Sequence, residues 1–137
     1  MQTFLPYDDY QASVRCLDYR RLGKQRVECK QIYRALVGES KGWVNHPAVR
    51  MWRGHEGALI DYAILVCTEW RSRGYKDSQL EYFEGRQNLR LDKPPPTWFG
   101  NYDFHASHRS NLLRKQPEWY SQFKWKEPDD LPYVWPV

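Results

Sequence analysis

At 137 residues the chain has room for one domain and one core, and its 7 Trp, 10 Tyr and 5 Phe are too many for a chain disordered over most of its length. Twenty-one basic against 17 acidic residues leave a net charge of +4, which permits a polyanionic partner without demanding one. Cys16, Cys29 and Cys67, odd in number and without a CxxC pair, exclude a disulfide framework and a structural zinc site. The longest apolar run, residues 63–67, is far too short to span a bilayer, and no basic segment followed by an apolar run marks a signal peptide. The expected setting is the reducing cytoplasm, with no membrane association.

A short lead ends near Pro6. Asp8 and Asp9 offer an N-cap for a helix that runs, with a break near Asp18, to Leu36 and stops at Gly38. Residues 39–45 read as a loop. His46-Pro47 opens a second helix, with proline at its first position and a capping residue before it. Helix resumes or continues from about Gly54 to Gly74, where Leu59, Ala63, Val66 and Trp70 follow a 3–4 spacing and Ile60, Ile64 and Cys67 follow it one step over. So wide an apolar arc predicts the central buried helix. Residues 79–91 are partly helical in pattern. Pro94-Pro95-Pro96 is a rigid connector, and residues 98–101 form a turn. A further helix covers about 103–115, and Pro117 opens a last short one. The tail, 126–137, is extended and pinned by Tyr133 and Trp135. No segment reads clearly as a strand, and no internal repeat is present. The expectation is an all-α, compact helical bundle, a single domain over 1–137 with an extended N-terminal lead and C-terminal tail.

The most informative segment is LDYRRLGKQRVE, residues 17–28. On a helix at about 100° per residue, Arg20, Arg21, Lys24, Glu28 and Gln31 fall on one face, opposite Leu22, Cys29, Tyr33 and Leu36. One reading is a solvated face on which Glu28 pairs with Lys24, worth tenths of a kcal/mol. The other is that the three cations grip phosphates around a sugar to which Glu28 points. A carboxylate is repelled by a phosphate backbone, so it suits acid/base work or a developing oxocarbenium ion better than binding. Arg26 lies nearer the packed side and suits a structural ion pair.

His46, in NHPAVRMW, reads either as a helix-start cap or as a site residue. His105 and His108 share a helix face three residues apart, but no third ligand accompanies them, so no metal is expected. Arg109, Arg114 and Lys115 in the same segment suit phosphate contacts, which position a protein without reading sequence. Phosphate loops, dinucleotide-binding glycines and the GxSxG elbow are absent.

With these segments in hand, the chain resembles the pyrimidine-dimer DNA glycosylase/AP lyase family, typified by the phage endonuclease V. The resemblance rests on Tyr19-Arg20 followed by Leu22 and Lys24, His46 before the long helix, Arg73-Gly74-Tyr75, His105-Ala106-Ser107, and Pro117-x-Trp119-Tyr120. It is nearest the bacterial and phage branch carrying LDxxRLxKQRVE and HPAVRMW. It implies a helical monomer that inserts its N-terminus into kinked double-stranded DNA in the nucleoid, with no cofactor. The N-terminal amine attacks C1′ of the sugar and expels the base, and the resulting imine drives β-elimination. An α-amine suits this because, as a class, it keeps a neutral fraction near pH 7. Two positions depart from the family. Gln2 stands where a small residue permits removal of the initiator, which leaves the amine on Met1. Arg21 stands where the catalytic glutamate should be, which leaves Glu28 to take that role from the same helix face. The expected site is thus Met1, Glu28 and His46 for chemistry, with Gln2, Arg20, Arg21, Lys24, His105, His108, Arg109 and Lys115 on DNA. Arg21 also motivates an alternative, a non-catalytic DNA-binding protein on the same scaffold.

Overall fold

Two long helices dominate the fold because two long stretches of the sequence carry an apolar face. The computed structural model describes residues 1–87 and 95–137. In chain order the elements are α1 (Tyr10–Cys16), α2 (Tyr19–Leu36), α3 (Pro47–Arg50), α4 (Glu56–Ser72), α5 (Leu80–Gln87), α6 (Tyr102–Lys115), α7 (Pro117–Tyr120) and a 3₁₀ turn at Ser121–Phe123. Among the described residues there is no strand, and the fold is all-α.

Local signals set most of the boundaries. Asp9 caps α1, accepting from Ala12 N at 2.8 Å, and Asn101 caps α6, accepting from Phe104 N at 3.0 Å. Gly38 and Gly74, just past the ends of α2 and α4, have φ of +82° and +91°, where a side chain would be strained. The break at Asp18 is sharp. Its backbone N–H donates to the Tyr120 hydroxyl at 3.0 Å, and that hydroxyl donates to Asp18 Oδ1 at 2.5 Å. The helix opened by His46-Pro47 is a single turn, and Gly54, with φ +84°, separates it from α4. The expected end of the pattern over 79–91 and Pro94 lie outside the described residues.

α4 is the central helix, packing on α1, α2 and α5 and burying Leu59, Ile60, Tyr62, Ala63, Val66 and Cys67. α2 meets it through Leu22, Cys29 and Ile32, all buried. The helices approach closely where Gly23 faces the Trp70 ring. That ring is held between the Arg26 guanidinium, 4.6 Å from its centroid, and Tyr75, 4.3 Å away. Arg26 also pairs at 2.6 Å with Asp77, a structural ion pair of the expected kind.

The last carbonyls of α1 lack helical partners and find distant ones. Arg73 donates to Arg15 O at 3.0 Å and to Leu17 O at 2.8 Å, while Trp119 Nε1 donates to Cys16 O at 2.7 Å. The ends of α1, α4 and α7 are thereby locked together beside the start of α2. The tail runs extended along α6, tied by Leu131 N and Val134 N to the hydroxyls of Ser110 and Ser107.

Candidate active site

Residues 2–6 are buried, yet they belong to no helix and pair with no strand. Each backbone group in such a segment needs a partner, and side chains supply them. Gln25 acts as a substitute peptide: its Nε2 donates to Gln2 O at 2.6 Å and its Oε1 accepts from Phe4 N at 2.8 Å. The Tyr62 hydroxyl donates to Phe4 O at 2.7 Å. Leu5 is gripped from both sides, its N–H donating to His108 Nδ1 at 2.9 Å and its carbonyl accepting from His105 Nδ1 at 2.8 Å. Arg109 donates to Pro6 O at 2.7 Å.

These bonds dictate the histidine tautomers. His108 accepts at Nδ1, so its proton is on Nε2. His105 donates at Nδ1, and its Nε2 accepts from Gly100 N at 2.9 Å. Both rings are neutral. Burial pushes His108 down to about 3 and lowers His105 as well.

The pinned segment delivers Met1 to a cleft of about 500 Å³. One wall is the face of α2 carrying Arg20, Arg21, Lys24 and Glu28; Lys115, Gln116 and Tyr133 close the other side. Glu28 is 9% exposed and accepts from Gln2 N at 3.3 Å, one residue from the amine. Its contact with Lys24 is 3.7 Å, and the Lys24 side chain is 76% exposed, so this pair adds little stability. Arg20 is exposed, while Arg21 reaches Asp18 at 3.2 Å. The α-amine, the carboxylate and the cations thus share one concave surface.

His46 caps α3, its Nδ1 accepting from Ala48 N at 3.0 Å. Burial first, and the charge of the terminal amine second, hold it below its usual range, with Glu28 acting the other way. It therefore lies within electrostatic reach of both groups. Lys115 is also lowered, by burial and by the neighbouring Arg21, Arg114 and Lys24. A second, smaller cleft of about 350 Å³ adjoins the first through Arg20 and Gln116, and it presents the exposed rings of Tyr19, Tyr75 and Trp119.

The amine, carboxylate and cations lie on elements drawn largely from the first half of the chain. A family model described as pyrimidine dimer DNA glycosylase matches residues 1–82. The chain belongs to this family. No curated protein and no solved structure matches it. The glycosylase family acts on DNA in repair, which accounts for a cleft lined by cations. The match ends inside α5, so the Lys115, Gln116 and Tyr133 side of this glycosylase cleft lies beyond it.

Of the residues expected at the site, Met1, Gln2, Arg20, Arg21, Lys24, Glu28 and Lys115 line the one cleft, and His46 stands close by. Three are elsewhere. His105 and His108 are buried behind the N-terminal segment: both ring nitrogens of His105 and Nδ1 of His108 are engaged by Leu5 and Gly100, while His108 Nε2 is buried without a partner. Arg109 is committed to Pro6 O and to Glu127, through bonds of 2.9 and 2.8 Å. These residues support the site from behind. Gln2 keeps its place in the cleft wall, but its side chain folds back, Oε1 accepting from Thr3 N at 2.9 Å. Sequence reasoning missed Gln25, Gln116 and Tyr133. Gln25 sits three residues before Glu28, on the buried flank of α2, where a polar residue was itself a signal. Among the described residues no group of three His, Cys, Asp or Glu can hold a metal, and no helix is long and apolar enough to cross a membrane.

Proposed function

We propose that this glycosylase removes a damaged or modified base of pyrimidine type from duplex DNA and cleaves the abasic strand, using the α-amine of Met1 as nucleophile. The neutral amine attacks C1′. The glycosidic C–N bond breaks, and the base leaves with the electron pair and takes a proton. Loss of the amine proton and opening of the C1′–O4′ bond give the imine. Glu28 removes a proton from C2′, the 3′ C–O bond breaks, and the phosphate departs in β-elimination. Hydrolysis of the imine frees the amine. Arg20, Arg21, Lys24 and Lys115 neutralise the flanking phosphates, and His46 borders the sugar. In this reading the protein works as a monomer on the DNA of the nucleoid, with Met1, Glu28 and the four cations of the chain lining the cleft.

The observation that carries this reading is the Gln2 N–Glu28 contact at the base of the cationic cleft. A buried carboxylate one residue from the α-amine supports the reading, since α-amines as a class need no burial to serve as nucleophiles. A single-abasic-site duplex, incubated in EDTA, tests it. Incision that leaves an unsaturated aldehyde at the 3′ end supports the reading. A bound but intact duplex points instead to the non-catalytic DNA-binding alternative.

A further inference from the structure

The loop between α2 and α3 carries the most exposed tryptophan of the chain. Trp43 is 60% exposed, and its φ of +65° lies in the left-handed region. Among the described residues, four of the other positions with such a φ are glycines and the fifth is Lys124. A bulky side chain there is strained, and such strain clusters where a ligand is gripped. The loop's geometry is otherwise well made. His46 N donates to Trp43 O at 2.9 Å, closing a turn, and Gly42 N donates to the Ser40 hydroxyl at 3.3 Å. The fold thus holds a large apolar ring in water, on a strained backbone, at a fixed place.

His46 links that place to the cleft, since it feels the charges of the terminal amine and of Glu28. The Trp43 ring meets His46 edge-to-face with centroids 5.8 Å apart, and His46 meets Trp135 on its other side at 5.9 Å. His46 is fixed by its cap bond to α3. The loop's surroundings suit a polyanion: Lys41, Arg50 and Arg53 are exposed, Arg53 donates to Val44 O of the loop at 3.1 Å, and the nearby Glu39 is neutralised by Arg34 and Arg86. An exposed ring flanked by cations is the make-up of a stacking platform for bases.

We infer that Trp43 is a wedge: its indole enters the duplex beside the nucleotide being processed and fills the gap left when a base leaves the stack. This rests on the reading that the protein acts on duplex DNA. Trp43 is a positioning residue, touching no reacting atom. It lowers the cost of extrusion by replacing lost base stacking with ring stacking.

The test compares an intact duplex with one holding a tetrahydrofuran abasic analogue and a 2-aminopurine beside it, using the full chain and the variants Trp43→Ala and Trp43→Phe. The wild-type protein is expected to prefer the gapped duplex and to quench the 2-aminopurine by stacking on it. Trp43→Ala should bind the intact duplex as well as wild type does, lose about tenfold of the preference, and leave the fluorophore bright. Trp43→Phe should restore quenching in part. Because the ring is mostly in solvent, neither variant should change the far-ultraviolet dichroism. Unchanged preference and quenching in Trp43→Ala, with wild-type binding intact, overturn the wedge alone. Failure of the wild-type chain to bind either duplex overturns the DNA reading together with it.

Discussion

In the proposed mechanism the chemistry turns on Glu28, and its replacement separates binding from catalysis. Glu28→Gln keeps the shape and the contact with Gln2 N but removes the acid/base group. Abasic-strand incision should fall by about a hundredfold or more, while duplex affinity holds or rises as a negative charge leaves the cleft. Single-turnover incision and a filter-binding titration read the two effects. Gly23 gives a residue-scale test of packing. Alanine is favoured over glycine in a helix by about 1 kcal/mol. The added Cβ, however, would lie 2.8 Å from the Trp70 ring. That ring cannot retreat, being held between Arg26 and Tyr75 with its Nε1 on Lys76 O at 2.8 Å. Overpacking typically costs about 1–3 kcal/mol. Gly23→Ala should therefore lower stability, by about 1 kcal/mol, in a urea titration. Legibility at this scale followed helical spacing. Arg20, Lys24 and Glu28 could be read from the α2 face because one residue spacing decides it. His105 and His108 could not, since their partner, Leu5, is about a hundred residues away and a segment outside any helix carries no periodic signal.

The N-terminal segment behaves as an element in its own right, held by side chains in place of a neighbouring strand. Gln25→Ala would remove both bonds that span Thr3, leaving Gln2 O and Phe4 N buried without them. Each unsatisfied group costs about 1–3 kcal/mol. Incision should suffer more than stability, because about 1 Å of misplacement at the amine can cost a hundredfold in rate. A rate held near wild type in a folded Gln25→Ala would count against this role. The same element sets a pH dependence. In the folded chain His108 titrates near 3, well below its usual value. Below about pH 6.5 the unfolded chain takes up a proton that the folded chain refuses, so stability falls as pH drops from about 6.5 toward 3. The slope from this group reaches about 1.4 kcal/mol per pH unit, and His105 adds in the same direction. Urea midpoints at pH 7.5, 5.5 and 4.5 should fall in that order. His108→Asn, which can keep an acceptor near Leu5 N without titrating, should flatten the trend. The helices were more legible than this segment. Asp9, Gly38 and Gly74 mark helix ends in the sequence, whereas Asn101, expected in a turn, proves to cap α6. The helix opened by His46-Pro47 lasts a single turn, because Gly54 adopts a left-handed conformation after it.

For the molecule as a whole, modest net charge hides a concentrated face. Four cations, Arg20, Arg21, Lys24 and Lys115, border the cleft. If each meets a phosphate, the logarithm of duplex affinity should fall against the logarithm of salt with a slope of about −3 to −4. Lys24→Ala should reduce that slope by about 1 without regard to sequence. A slope unchanged by Lys24→Ala would move the DNA off this face. The central claim, that the Met1 amine attacks the sugar, is met most directly by borohydride reduction of the protein with an abasic duplex, followed by mass mapping of the cross-linked peptide. The account predicts an adduct on the peptide that begins at Met1, lost when the α-amine is blocked. The cleft holds another amine that burial and neighbouring cations shift toward reactivity, that of Lys115. An adduct on the Lys115 peptide that survives blocking of Met1, or the absence of any adduct from a chain that binds the duplex, would contradict it.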